Sequence, residues 1–413
     1  MPRLLRTPET WLIYAQLGLW GYFLYGIGPV VPLLRDEQGV SAAVASLHGT
    51  ALAVGGLIAG GTFPILVRRL GRGHTMWLSL TGAALSTIVL CLFGALPATL
   101  AATAVASVFG TMVVSGVVAG LSEQHGPAGP AAISEANAAA AGMGIVSPLV
   151  IGLAVGAGLG WRPGLAAMAG LVVVLAVVAL ALGVRVPRGR SFAGVSARTA
   201  VRPPALPRAY WIAWTLMGVT GSVEVCLSLW AAAVLRDHAG LSPGAAAAGV
   251  ASIVSGMFLG RLAGGRFALR LAPVPLLLAA LGVSAVGFAV FWLATAGWLA
   301  IAGLVVVGLG NAMHYPLAIS LAMAASGGQN DRAAGYASYS IAVGFGVAPV
   351  VLGWVADGVG AHLAFLLLPG LLAAAALLAV RLGRAISAAP AAPAPASMPA
   401  ADLALVVPPI AGG

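Results

Sequence analysis

Long apolar runs, broken by short polar or glycine-rich stretches, fill most of the chain. A helix needs roughly 20 predominantly apolar residues to cross a bilayer core about 30 Å thick. Twelve segments satisfy this: 11–34, 44–67, 75–96, 98–121, 131–157, 164–184, 209–235, 244–265, 274–295, 298–325, 333–356 and 361–381. The pattern predicts an all-α integral membrane protein with twelve transmembrane helices. The fifth and tenth segments are long enough to tilt or to begin outside the bilayer. Before the first, "TPE" predicts a helix start, with Thr7 as N-cap, Pro8 at the first helical position and Glu9 in the first turn. The apolar run behind it is too long for a signal-peptide core and reads as the first span.

The polar stretches divide the chain. The longest internal one, "RVPRGRSFAGVSARTAVRPPALPR" (185–208), is basic, Pro-rich and without acids, and it separates six spans from six. Residues 1–184 and 209–382 are therefore expected to form two six-helix bundles. The Ala/Pro-biased tail 383–413 is expected to be disordered. The halves resemble each other: "GMGIVSPLVIG" (142–152) is similar to "GFGVAPVVLG" (344–353), and both Pro148/Pro349 and Gly152/Gly353 are 201 residues apart. Weak internal symmetry in a membrane chain points to a repeat-built transporter with its site between the repeats.

Composition narrows the class. Only 7% of residues are charged and 61% are hydrophobic, with a mean hydropathy of +1.04, whereas a soluble domain carries about 25% charge. Most of the surface must therefore face lipid. The net charge of +10 comes from 20 basic residues, all Arg, against 10 acids. Such a balance suggests nucleic acid, but the positions of the arginines argue for another cause. If the N-terminus is cytoplasmic, only Arg35, Arg162 and Arg236 fall on the far side. The rest lie in the N-terminus, the 2–3, 6–7 and 10–11 loops, the end of span 8 (Arg261, Arg266, Arg270) and the C-terminus. The positive-inside rule then places both termini in the cytoplasm of a multi-pass protein of the cytoplasmic membrane, a bacterial inner membrane. The charge is accounted for without nucleic acid.

Cys91 and Cys226 fall inside apolar runs without metal-ligand spacing and read as small buried hydrophobes. No P-loop, HExxH, paired-acid or Cys/His cluster occurs, so neither an enzyme, nor an ATP-driven pump, nor any cofactor or metal is expected. A sensor or scaffold would be expected to carry a soluble output domain, and none is seen.

These features together resemble the major facilitator superfamily (MFS), whose members have six plus six helices, a basic central loop and cytoplasmic termini. The resemblance covers the chain except for its tail. The family's signature between spans 2 and 3 is matched by "PILVRRLGRGH" (64–74): Arg69, Gly71 and Arg72 agree, while Pro64 replaces the first glycine and Arg68 the aspartate. "GRLAGGRFALRLA" (260–272) keeps glycines and arginines but also lacks the acid, and "GLGWR" (158–162) follows span 5 as in the family. Span 5 has "SP" where family antiporters have "GP", and span 4 lacks their arginine. The missing aspartate would lie near the positive end of span 11, which repels Arg68. Asp331 could compensate by pairing with Arg68, or Arg68 could face lipid head groups. The resemblance thus implies a conformational loop of Arg68, Arg69, Gly71, Arg72 and Asp331.

Candidate site residues follow from polarity inside spans. Glu224 is the one acid in 211–234. A charge at the bilayer centre costs about 2.5–3.5 kcal/mol on insertion scales, so such an acid faces a cavity, pairs or protonates. Thr220, Glu224 and Ser228 share one helical face. The resemblance makes spans 7 and 10 cavity-lining. Span 10 carries Asn311, His314 and Tyr315 on one face beside Pro316, which suggests a kinked helix. His314 reads either as a proton relay or as a hydrogen-bonded core residue. In span 1, Tyr22 and Tyr25 are mid-span ligand candidates, Tyr14 reads also as an interfacial anchor, and Gln16 points off their face. Thr103, Ser107, Thr111 and Ser115 form either a pore stripe or a packing seam. Glu135, at a helix start, reads as structural. Tyr336 and Tyr339 either reach the cavity or pack.

The expected function is secondary transport of a small solute by alternating access, coupled to protons at Glu224 and His314, with Tyr22, Tyr25, Glu224, Asn311, His314 and Tyr315 binding the solute. A sugar-like or small organic solute is favoured; the alternative is proton-driven efflux of a hydrophobic or cationic compound. The expected partners are solute, protons and the lipid bilayer, with a monomeric chain.

Overall fold

The computed structural model describes residues 5–184, 186, 205–268, 270–327 and 329–388. Among them, twelve helices are long and apolar enough to cross a membrane: Pro8–Gln38, Ala42–Leu70, Arg72–Leu92, Leu96–His125, Ala132–Gly156, Arg162–Ala181, Arg208–Asp237, Pro243–Arg261, Pro273–Leu293, Gly297–Ala324, Tyr339–Val359 and Ala361–Ser387. Numbered as spans 1–12, they match the expected segments one for one. Ends differ where capping chemistry overrides hydropathy. Span 3 stops at Leu92 because Phe93 turns extended ahead of Gly94. The last helix runs to Ser387, past the boundary expected at 382. Most of the central loop (185 and 187–204) and the tail from 389 lie outside the described residues, and so does the expected disorder of that tail.

Helix starts follow elementary capping. Thr7 accepts from the Thr10 amide, Ser41 from Val44 and Ser242 from Ala245. Each satisfies one of the unpaired N–H groups at a helix start. Ser41 and Ser242 are 201 residues apart, the interval of the sequence repeat. Both begin a short helical piece, Ala42–Ala45 and Pro243–Gly249, that leads into the rest of spans 2 and 8.

Spans 1 and 7 are the most buried of the twelve, and they meet each other across the halves where Gly28 lies against the Ser228 backbone. Within each half, glycine lets helices meet closely. Gly110 sits under the Trp20 ring, Gly55 against Ala104 and Ser107, and Gly287 and Gly303 against each other's helices. The seam of span 4 is used for this packing, since the Ser107 hydroxyl donates to the Leu52 carbonyl of span 2 at 2.6 Å.

The halves meet at the end of the bundle remote from residues 5–8 and 387. Gly28 lies against the Ser228 backbone. A Cβ on Gly152 would come 2.5 Å from the Gly244 carbonyl, and one on Gly353 would come 2.6 Å from the Ala42 carbonyl. Hydrogen bonds close the same end. Asp357 accepts from the Ala42 and Ala43 amides at 2.6 and 3.0 Å, Trp230 donates to Ser46 at 3.0 Å, and Thr50 donates to the Gly346 carbonyl at 2.6 Å. Arg236 joins Asp36 at 2.5 Å. At the terminal end, four bonds each join spans of the same half: Arg6–Glu135, Arg72–Glu123, Tyr210–Ala333 and Trp214–Tyr336. The bundle is shut at one face, where these ties between the halves gather.

Candidate functional site

Glu224 sits midway along span 7, partly buried, one turn from Thr220 and one from Ser228. Its helix is anchored on one side by Gly221 against Ile341 and Phe345 of span 11 and at the sealed face by Ser228 against Gly28. The carboxylate interacts electrostatically with three groups from three other spans: Arg261, Tyr25 and Tyr315. Arg261 is in hydrogen-bonding reach of the Tyr25 hydroxyl. Tyr25 is itself braced where its ring lies over Gly144 of span 5. Spans 1, 7, 8 and 10 thus converge on one polar cluster between the halves.

Arg261, read from the sequence only as one of the basic residues at the end of span 8, has a further role. Its helix runs on to Ala268. Val250, Val254 and Met257 form a buried stripe along span 8. At intervals of three and four residues, that stripe continues to Arg261. The arginine therefore stands at the exposed end of a buried apolar face.

Span 10 divides the three residues expected to act together. Tyr315 is exposed and interacts with Glu224. Asn311, one turn away on the same face, is buried with neither amide atom hydrogen-bonded. His314 turns the other way: its Nε2 lies 3.3 Å from the Ser284 hydroxyl of span 9. Gly310, on that same face, also packs on Ser284 and Ala280. The structure does not bring His314 to Glu224. Tyr22 is likewise taken out of the site, because it is 1% exposed and its hydroxyl donates to the Gly164 carbonyl of span 6 at 2.5 Å. In both cases a step of three residues rotates the side chain by about 60° onto another neighbour.

The remaining candidates have structural partners. Tyr14 donates to Glu135 at 3.1 Å, and Glu135 holds Arg6, tying the N-terminal segment to span 5. In the conformational loop, Gly71 takes a φ of 76° to end span 2, and Arg72 is buried against Glu123 at 2.6 Å. Arg68 and Arg69 are exposed. The side chain of Asp331 lies outside the described residues, and with it the suggested pair with Arg68. Tyr336 and Tyr339 stand beside one another, with Tyr336 against Trp211.

Sequence reasoning missed the charge network at the sealed face. Arg35 pairs with Asp36, Arg236 with Asp36 and Asp237, and Arg162 with Glu37, whose carboxylate also accepts from Trp161 at 3.2 Å. These are the three arginines the topology places apart from the rest, and each has an acid. The signal was present as "RDEQG" (35–39) and "RDHAG" (236–240), again 201 residues apart.

Residues 15–338 match the family model described as Major Facilitator Superfamily. No curated protein matches the sequence significantly. Among solved structures, the chain is similar to a mutant of the nucleoside transporter NupG, with TM-score 0.73 and 13% identity over 91% of this chain and 98% of that one. It is similar to the D-xylose–proton symporter, with TM-score 0.71 and 14% identity over 90% and 96%. It also resembles a bacterial homologue of the human lysosomal transporter Spinster, with TM-score 0.70 and 15% identity over 91% and 96%. At these identities the likeness speaks to the fold.

Proposed function

The chain belongs to the major facilitator superfamily of membrane transporters, and from that premise we propose a secondary active transporter that moves a small organic solute by alternating access, with Glu224 carrying a coupled proton. The observation that carries this reading is the convergence of Glu224, Arg261, Tyr25 and Tyr315 between the halves. A carboxylate beside a guanidinium in low dielectric has two stable states, ion-paired or protonated, and a solute can select between them. The arginine distribution supports cytoplasmic termini even without Arg261. In that orientation the sealed face is extracytoplasmic and the terminal face is the one poised to open.

The solute class is supported by the tyrosines of the cluster, by the unpaired Asn311 amide one turn from Tyr315, and by resemblance to structures named for nucleoside and xylose transport. The alternative, efflux of a hydrophobic cation, relies on an acid that attracts positive charge. Arg261 offsets that attraction, so the cluster favours the first reading. The chain is taken to work as a monomer in the cytoplasmic membrane.

Reconstitution tests the coupling. Glu224→Gln is expected to abolish accumulation driven by a pH gradient while leaving solute exchange across proteoliposomes intact. Full gradient-driven accumulation in that variant would remove Glu224 from the coupling step.

A further inference from the structure

Arg261 differs from the other arginines that the fold engages. Arg6, Arg35, Arg72, Arg162 and Arg236 each have a carboxylate oxygen within 4.0 Å, whereas among the described residues Arg261 has none. Glu224 lies near enough to interact with it, but outside that contact distance. The guanidinium is exposed, at the end of an otherwise buried stripe, with the Tyr25 hydroxyl beside it. A planar guanidinium fork is shaped for a bidentate bond to a carboxylate. One turn from Tyr315 on the same helix, the buried Asn311 amide has both its donor and its acceptor unmet.

We propose that Arg261 is the substrate-anchoring residue and that the solute is an organic monocarboxylate, with Tyr25, Tyr315 and Asn311 addressing its uncharged part. This rests on the transport reading above and narrows it. Charge balance selects the class. With Glu224 ionised, Arg261 and Glu224 cancel and an incoming carboxylate is repelled by Glu224. With Glu224 protonated, the cluster carries one positive charge, which one carboxylate neutralises. Proton and monocarboxylate therefore load together, and a dianion would leave an uncompensated charge in low dielectric. The other titratable groups near mid-depth among the described residues face elsewhere: His314 lies against Ser284 of span 9, Tyr22 donates to the Gly164 carbonyl of span 6, and Cys226 is buried in span 7. Along the neighbouring spans 11 and 12, Tyr336, Tyr339, Arg381 and Arg384 lie toward the terminal end, and Asp357 and His362 toward the sealed end. The start of span 11 also carries Asp331 and Arg332, at the terminal end.

The test uses the purified full chain and thermal stabilisation by lactate, pyruvate and benzoate, each against its own amide, with xylose as a neutral reference. Carboxylates are expected to stabilise the protein, more strongly at acidic than at neutral pH, and amides are expected not to. Arg261→Gln should weaken carboxylate binding by about ten- to a hundredfold, the loss of one charge-assisted hydrogen-bond pair. Arg261→Lys keeps the charge but loses the fork and should fall between them. It also guards against misreading a folding defect, since it should behave as wild type in size-exclusion chromatography. Equal stabilisation by amides, stabilisation by no carboxylate, or unchanged carboxylate binding in Arg261→Gln overturns the proposal. If a neutral solute is taken up in a Glu224-dependent, gradient-driven way while carboxylates do nothing, proton-coupled transport stands and the carboxylate assignment falls. If carboxylates bind through Arg261 but uptake ignores the gradient, the reverse holds.

Discussion

The outer ends of the two halves are built to one plan and finished differently. "RDEQG" closes span 1, where Gly39 is the left-handed cap, and "RDHAG" closes span 7, where the helix is capped by His238 and Gly240 turns left-handed two residues on. The third position then diverges. Glu37 binds the Arg162 side chain and the Trp161 indole, while its counterpart His238 stacks on His362 at 3.6 Å, with Trp292 stacked on the far side at 4.6 Å. Trp161 and His362 are themselves counterparts, 201 residues apart. An ion pair in one half has become an aromatic stack in the other.

The helix crossings show the same division. Gly152 of span 5 packs on the start of span 8, and Gly353 of span 11 packs on the start of span 2. One turn on, Asp357 accepts from Ala42 and Ala43, yet its counterpart in the first half is Gly156. The reason is local: the residue equivalent to Ala42 is Pro243, which has no N–H to offer. A carboxylate there would have lost half its purpose. Backbone approach has been kept across the repeat, and side chains have been adjusted to the donors left over.

The largest expected effect comes from breaking what the crossings share. Gly152→Leu would drive a side chain into the Gly244 carbonyl, and overpacking of this kind costs about 1–3 kcal/mol or more. The closed face should open, with at least about a fivefold loss of transport by the arithmetic of that cost. Accessibility of an introduced cysteine at Ser242 reports it, and an unchanged labelling rate would show that the crossing is not part of the seal.

What the crossings do not share should matter less. Asp357→Ala leaves two helix-start amides without their acceptor, worth about 1–2 kcal/mol against the closed state. The converse transplant, Pro243→Ala with Gly156→Asp, should stabilise that state by about 1 kcal/mol. Gly156→Asp alone should do little, because a Cβ there meets open space and the donor is still missing. Cysteine labelling again distinguishes these outcomes, and equal effects of the single and double variants would contradict the proline argument.

Smallest is the contrast between ion pair and stack. Glu37→Gln breaks a half-exposed pair worth about 0–1 kcal/mol and should do so less in high salt. His362→Ala removes stacking worth about 0.5–1.5 kcal/mol with no salt dependence. Thermal melts across a salt series separate the two.

The spans were legible because each depends on a single additive property, apolar length, which a bilayer reads in the same way wherever it occurs. Glu224 was legible for a related reason: one charge in an apolar run has few uses. Arg261 was not, because it lies where an apolar stripe meets a run of basic residues, and only the neighbouring helices decide which side of that border it occupies. Tyr22 and His314 failed through rotation. Both lie at the right depth, but a helix wheel gives angles relative to the helix and not to its neighbours. Tyr22 faces span 6 and His314 faces span 9.

The bare backbone at the sealed face also bears on leakage. Where Gly28 meets Ser228 and Gly152 meets Gly244, no side chain stands between the helices, and the backbones approach too closely for a water molecule at those two points. A file of water molecules would conduct protons and discharge the gradient that a coupled transporter draws on. Here the insulation is made of main chain, so its quality is set by a distance of closest approach. Glycine already gives the shortest such distance, and any added side chain can only lengthen it.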